Sequence, residues 1–370
     1  MKPLEGLKVV ELARILAGPW IGQALADLGA EVIKVESPQG DDTRRWGPPF
    51  IERDGDRTAA YFYAANRGKS SVVADFRTGE GQQIVRDLIR DADILIENFK
   101  VGGLAKYGLD YDSLKEEHPR LIYCSITGFG QDGPYANRAG YDFLIQGMSG
   151  LMSITGEPEG QPQKVGVAVT DIVTGLYGTI GVMAAVEQRH RTGRGQHVDM
   201  SLLDCATALL ANQAMNFLAT RNSPERRGND HPNIAPYQVL PTADGHIILA
   251  VGNDGQFQRL CGVLQRGDLG SDTRFASNQQ RVAHREALTR ALTVSLAGWG
   301  SAALLSALEA ATVPAGPINS VAAAFADPQI VARGMVVTPE GVPGVRGPWK
   351  FSDAELALEK SAPVLPEQGC

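Results

Sequence analysis

LKVVELARILAGPWIGQALADLGAEVIKVE, residues 7–36, is the stretch on which the fold turns. LKVVEL (7–12) is a short Val-rich apolar run, which reads as a buried strand. GPWIGQALADLGA (18–30) sets Pro19 where a helix can start, then apolar residues at helical spacing, then Gly29 where it can stop. EVIKVE (31–36) is a second strand. Two strands flanking one helix predict a parallel βαβ unit. The pattern continues: SSVVADF (70–76), DILIENF (93–99) and RLIYCSITGFG (120–130) read as strands. GEGQQIVRDLIRDA (79–92) reads as an amphipathic helix with Ile84, Leu88 and Ile89 on one face. The fold class expected is α/β, with a Rossmann-like doubly wound large domain.

Downstream, residues 142–220 are mostly helical in pattern. VGVAV (165–169) is strand-like, and DIVTGLYGTIGVMAAVEQRHRTG (171–193) is one long helix ending at GRGQ. Residues 197–220 start as a strand and run into another helix. RNSPERRGNDHPN (221–233) is polar and turn-rich. YQVLPTADGHIILAVGNDGQFQRL (237–260) predicts two strands around an A-D-G turn, then a glycine turn and a helix. Residues 284–311 are helical, and 313–329 form a Pro/Gly loop with a short helix after it. The chain therefore divides into a large domain (1–200), a helical linker (201–223) and a small α+β domain (224–324).

Composition narrows the function. The 370 residues are 43% hydrophobic and 21% charged, with a net charge of −7. A chain of that charge repels nucleic acid and anionic membranes, so neither is expected as a partner, and a polyanionic ligand needs a local cluster of Arg and Lys. Cys124, Cys205, Cys261 and Cys370 form no C-x-x-C pair and read as buried thiols of a reducing compartment. MKPLEGLKVVELAR lacks the apolar core of a signal peptide, and no uninterrupted run of about 18 apolar residues exists, so the expected location is cytoplasmic. Glu36, ending the second strand, invites a dinucleotide reading. ARILAGPWIG has no G-x-G-x-x-G, however, and carries a Pro where the pyrophosphate-binding backbone should lie. G-x-x-x-x-G-K-[ST], G-x-S-x-G and H-E-x-x-H are absent, and the six His are scattered. No metal site is expected. What remains is a carboxylate, Asp171, at the mouth of the long apolar helix. Read from its segment alone it is first a helix cap; a nucleophile held ionised by the helix dipole is the second reading, compatible with the first.

Taken together, several motifs resemble the class III CoA-transferases, the group containing formyl-CoA transferase, carnitine CoA-transferase and the methylacyl-CoA racemases. The carriers are residues 7–36, DDTRRWGPP (41–49), NRGKSSVVADFRTGEG (66–81), IENF (96–99), SITGFGQDGPYANRAGYDFLIQGMSGLMSITG (125–156), VTDIVTGLYG (169–178), RTGRGQ (191–196) and VPAGPIN (313–319). The resemblance implies no permanently bound cofactor, a coenzyme A thioester and a carboxylic acid as substrates, and an interlocked homodimer. It also implies a large domain completed by residues 325–370. It makes Asp171 the carboxylate that attacks the thioester and carries CoA as an aspartyl thioester after a mixed anhydride. It places Ile15, Ala17, Arg77, Asn98, Phe99, Lys106 and Tyr107 around CoA, and Gly255 of GNDGQ (252–256) in a catalytic glycine loop. Racemases of the group carry His in a G-H-D motif. Here Gly140-Tyr141-Asp142 stands instead, and a Tyr is a poor base at neutral pH, so transfer is expected and racemisation is the alternative. Tyr141 itself reads as an active-site contact or as a packed core residue. Similarity to the branch using succinyl-CoA with glutarate-like acceptors calls for a cation to meet a second carboxylate. Arg44, Arg45 and Arg138 are the candidates.

Overall fold

A computed structural model describes residues 1–366 of the chain; Cys370 lies outside them. The chain divides into two compact units. Among the described residues, unit 1 comprises 1–152, 164–223 and 328–366, and unit 2 comprises 153–163 and 224–327.

Unit 1 is built on a six-stranded parallel sheet. In chain order its first elements are β1 (Lys8–Glu11), α1 (Ala17–Asp27) and β2 (Glu31–Glu36). A hairpin of β3 (Phe50–Arg53) and β4 (Asp56–Ala59), then α2 (Ala60–Asn66), lead to β5 (Ser70–Val73). Then come α3 (Gly79–Arg90), β6 (Ile94–Glu97), α4 (Tyr111–Leu114) and β7 (Ile122–Thr127). After α5 (Asp142–Met148) and α6 (Val169–Thr192) the sheet closes with β8 (His197–Ser201), followed by α7 (Leu202–Leu209) and α8 (Ala211–Thr220). The strand order is β5-β2-β1-β6-β7-β8, every neighbouring pair parallel. The order reverses between β1 and β6, as in a doubly wound sheet.

The strands read as continuous apolar runs because both sheet faces are covered. Successive side chains alternate between two cores. Val9, Ile94, Ile96, Ile122 and Cys124 pack with Ile21 and Leu25 of α1 and Val182, Ala185 and Val186 of α6. Val10, Leu95 and Tyr123 pack with Val85 and Ile89 of α3 on the other face. α6 lies against α1 at glycines: a Cβ on Gly175 would come 2.9 Å from the Trp20 Cβ, so any larger residue forces the helices apart.

Unit 2 holds a second, antiparallel sheet. Its strands are β9 (Tyr237–Pro241), β10 (His246–Ala250) and β11 (Ala315–Pro317), in the order β11-β10-β9. Between them come α9 (Asp254–Val263), α10 (Gly267–Ser271), α11 (Asn278–Ala283), α12 (Arg285–Leu296) and α13 (Ser301–Ala310). Their apolar faces meet in one core around Phe257, Phe275, Leu292 and Leu304.

Four expectations are corrected. VGVAV (165–169) is not a strand; it enters α6 as irregular chain, fastened by side chains and not by a neighbouring strand. Residues 201–223 are not a linker: Leu202 and Ala206 are buried in the first core, Cys205 is buried too, and both helices belong to unit 1. The Pro/Gly segment at 313–329 contributes an edge strand, β11, where Pro costs no ladder bond. Residues 153–163 group with unit 2, where Arg226 donates to the carbonyls of Glu157, Pro158 and Gly160. In addition, α6 is long and apolar enough by composition to cross a membrane, yet one side of it is core: Val182, Ala185 and Val186.

Candidate active site

A cavity of about 810 Å³ opens at the carboxyl ends of all six parallel strands. Its walls are the segments that follow them: Arg14–Ala17 after β1, Ser37–Asp42 after β2, Ala74–Arg77 after β5, Asn98–Gly103 after β6, Thr127 and Gly128 at the end of β7, and Leu202 after β8. This is where a doubly wound sheet binds ligands, because loops leaving β1 and β6 in opposite directions leave a crevice. Six cations (Arg14, Arg45, Arg77, Lys100, Lys106, Arg138) and three carboxylates (Asp42, Asp75, Asp171) line it. In a chain of net charge −7, that is the local cationic cluster a polyanionic ligand requires.

Asp171 sits in the first turn of α6 and half-buried in the cavity wall. It is not the cap. The helix starts after Ala168, and its Thr170 N–H donates to Asp142 of α5 over 2.9 Å. The Thr170 hydroxyl donates to the same oxygen over 2.7 Å. Gln146, one turn on in α5, donates to Asp142 over 2.8 Å and accepts from the Val165 N–H over 2.9 Å. Asp142 and Gln146 thus clamp both ends of the segment that feeds α6. Asp171 is left with no hydrogen bond from any described residue. Burial first, then the charge of Asp142, push its carboxyl up from 3.8 to about 7. Burial and the neighbouring carboxylate thus work against the ionised form that the helix end was expected to favour. The Tyr61 phenol, raised mainly by burial, also feels Asp171, Asp142 and Asp41. Tyr141, which precedes α5, is 69% exposed, so it is a wall of the cavity and not a core residue. Its loop is pulled onto β7 where the Gly128 and Gly140 backbones touch; a Cβ on Gly140 would lie 2.4 Å from the Gly128 Cα.

The other expected residues separate. Ile15, Ala17, Arg77, Asn98, Phe99, Lys106, Tyr107, Arg45 and Arg138 all line the cavity. Phe76, Phe99 and Tyr107 form an edge-to-face cluster with centroids 5.5 and 5.3 Å apart, the Arg14 guanidinium lies 5.5 Å from the Phe99 ring, and the Lys106 ammonium lies 4.8 Å from the Tyr107 ring. Such aromatic and cationic surface suits a purine and its phosphates. Arg77 is exposed and paired with Asp75 through two bonds of 2.8 Å. The Asn98 amide is committed to the backbone: it accepts from the Arg14 N–H and donates to the Arg14 carbonyl. Asn98 braces the loop after β1 instead of offering its amide to a ligand.

Arg44 is not a substrate contact. Its guanidinium is buried, grips Glu36 with bonds of 2.8 and 2.6 Å, and lies 3.7 Å from the Phe62 ring. The same pair removes Glu36 as a ribose ligand; Ser71 and the Asp41 N–H fill its remaining sites. Gly255 lies in the first turn of α9, not in an open loop. Asn253 caps that helix, Gln256 reaches back to the Gly252 N–H over 2.7 Å, and buried Arg281 holds Asp254 over 2.7 Å. Arg14, Lys100, Phe76, Asp41 and Asp142 were missed in the sequence. For the first three a signal existed, since each stands just past the end of a recognisable parallel strand.

An α/β sheet with a cation-lined crevice at its switch point and an unpaired, half-buried carboxylate defines an enzyme that handles a phosphorylated carrier. Comparison makes this specific. The family model described as CoA-transferase family III matches residues 4–368, and the chain belongs to that family and is a CoA-transferase. It is 57% identical over 373 residues to a succinate–glutarate CoA-transferase of Agrobacterium fabrum, covering 99% of this chain and 93% of that one. It is 40% identical to a succinyl-CoA:glutarate CoA-transferase of Mus musculus, covering 99% and 84%. A solved CAIB/BAIF family protein from Brucella suis superposes with a TM-score of 0.90 at 62% identity, covering 100% and 97%.

Proposed function

We propose that the chain transfers CoA between small dicarboxylic acids, with succinyl-CoA as donor and a glutarate-like diacid as acceptor, through Asp171. The observation that carries the reading is the state of Asp171: half-buried, free of hydrogen bonds and facing a cation-lined cavity. A carboxylate already bonded to donors is a weak nucleophile; this one has given up solvent without gaining partners.

The steps balance without ATP or metal. An Asp171 oxygen attacks the thioester carbonyl, the C–S bond breaks, and CoA leaves as thiolate with a mixed anhydride left behind. The thiolate attacks the aspartyl carbonyl, releasing the donor acid and forming an aspartyl thioester. The acceptor carboxylate then attacks that thioester, the C–S bond breaks, and a second mixed anhydride forms with CoA thiolate released; the thiolate attacks the acceptor carbonyl of that anhydride, giving the new acyl-CoA and freeing the Asp171 carboxylate. Phe76, Phe99, Tyr107, Arg77, Lys106 and Arg14 are placed to hold the 3′-phosphoadenosine and pyrophosphate. Arg45 and Arg138 are placed to meet the diacid's second carboxylate. Arg138 stacks on Tyr135 at 4.4 Å, which fixes its plane for a bidentate contact. Racemisation is disfavoured because Tyr141 offers no base.

The homodimer reading is supported by large apolar side chains exposed on α5, α6 and α8, among them Phe143, Ile180 and Met215. A second copy is the occupant we assign to it, and light scattering at micromolar concentration tests this. The transfer mechanism is tested by incubation with succinyl-CoA, trapping with hydroxylamine, and peptide mass spectrometry. The tag is expected on Asp171. A tag on another residue overturns the mechanism, and equal rates with monocarboxylic and dicarboxylic acceptors overturn the substrate class.

A further inference from the structure

Ile15, in the wall of the cavity, has φ of +73°. A β-branched residue is strained in the left-handed region and stays there only where its surroundings hold it. Sequence does not explain why Ile and not Gly occupies this turn. The surroundings do.

The Ile15 N–H donates to the Asp41 carboxylate at 3.2 Å. Asp41 is itself fixed on every side. Its other oxygen accepts from the Thr43 N–H at 3.0 Å and the Thr43 hydroxyl at 2.8 Å. Its own N–H donates to Glu36 at 2.8 Å. Its ion pair is with Lys34, at 3.0 Å. Lys34 is fully buried and also binds Glu11 at 3.1 Å and the Ala13 carbonyl at 2.8 Å. Behind Glu11 stands Lys69, equally buried, at 2.8 Å. A chain of buried charges, Lys69–Glu11–Lys34–Asp41, therefore ends on one backbone amide in the cavity wall. Buried ion pairs add little net stability over apolar packing, but they fix geometry. The Asp41 carboxyl is held below its ordinary value: burial raises it, and the Lys34 charge with the Thr43 bonds overcomes that.

We propose that Asp41 is a positioning residue for the CoA thioester: it holds the Arg14–Ala17 loop in the strained turn that shapes the wall against which CoA lies. The proposal rests on assigning this cavity to CoA. Asp41 touches no reacting atom, so its loss weakens acyl-CoA capture and leaves the chemistry at Asp171 intact.

The experiment is a double-mutant cycle of Asp41→Ala and Ile15→Gly, read as KM for succinyl-CoA and kcat. Glycine takes this φ without strain and keeps the backbone contacts. Asp41→Ala alone is expected to raise KM about tenfold, the loss of one charge-assisted hydrogen bond, with kcat within about twofold. In the Ile15→Gly background the same change is expected to raise KM by no more than about threefold, because no strained turn remains to be held. If the Ala variant does not fold, Asp41→Asn takes its place: it keeps an acceptor but loses the charge, so KM is expected to rise about threefold in the Ile15 parent and to stay unchanged in the Ile15→Gly background. Equal KM rises in both backgrounds, or a fall in kcat at constant KM, overturn the proposal. Arg77→Ala and Lys106→Ala serve as reference. If these leave KM unchanged, the cavity assignment fails; if they raise it while the Asp41 cycle is flat, only the positioning role fails.

Discussion

Replacing Asp171 with Asn is expected to stabilise the protein while abolishing transfer. The carboxyl stands at about 7 in the folded chain against 3.8 for the free group. A raised carboxyl means that the native state keeps its proton longer than the unfolded state does. Stability therefore falls as pH rises from about 4 to 7, and the full penalty is present above 7. Complete burial would make that penalty about 4 kcal/mol. Asp171 is only half-buried, so solvent screening reduces the figure to about 1–2 kcal/mol. Asn keeps the shape and never ionises. The variant should melt about 2–3 °C above the parent at pH 8 for a chain of this size, with the gain shrinking to within about 1 °C at pH 5. Differential scanning fluorimetry at four pH values, with transfer measured in parallel, reads both quantities. A gain that does not depend on pH, or a loss at pH 8, refutes the claim that Asp171 is a desolvated, unpaired charge.

Asp142→Asn keeps an acceptor for the Thr170 N–H but removes the charge beside Asp171. The acid limb of the kcat–pH profile should move down by about half a unit to one unit, and an unmoved limb refutes the coupling. Arg44→Ala leaves Glu36 buried without its cation and should cost about 3–5 kcal/mol in urea unfolding, whereas exposed Arg45→Ala should cost less than about 0.5. The reverse order would return Arg44 to the substrate site. Arg77→Ala and Lys106→Ala should each raise KM for succinyl-CoA about tenfold with kcat unchanged. Arg138→Ala should raise KM for a dicarboxylate acceptor and leave a monocarboxylate untouched; equal effects on both would place Arg138 on CoA instead.

The parts of this molecule that depend on local pattern were legible. Apolar, Val- and Ile-bearing runs placed five of the six parallel strands, while His197–Ser201 was read only as a strand start; the Arg189–Gly193 end of α6 followed from its basic turn and glycine. The parts that depend on pairing between distant residues were not. Arg44 is a surface cation in a one-dimensional reading; only the turn that folds the 41–49 segment back over the end of β2 makes it the partner of Glu36, eight residues earlier. Asp171 looked like the cap because nothing near it in the chain reveals that Asp142, 28 residues before Thr170, already does that work on the Thr170 N–H. VGVAV has strand composition, but Gln146 takes the Val165 N–H at its start and Asp142 takes the Thr170 N–H just past its end, which leads it into α6 instead of a sheet.

The way this unit treats its other carboxylates sharpens the argument for Asp171. Among the described residues, five carboxylates are buried: Glu11, Asp27, Glu36, Asp41 and Glu97. Four of them meet a cation within 3.1 Å: Lys69 and Lys34, Arg67, Arg44 and Lys34 respectively. Each of those is matched at folding and is spent as a nucleophile. Glu97 lacks a cation, and burial pushes it up to about 7, but it accepts from Ser125 and from the Phe99 N–H, so its lone pairs are also occupied. Among the described carboxylates of unit 1, Asp171 alone combines partial burial with no hydrogen bond and no ion pair. A unit that pairs or bonds its other desolvated carboxylates leaves this one open at the carboxyl end of its sheet, beside cations suited to phosphates. An attacking carboxylate needs that state, and a structural one gains nothing from it.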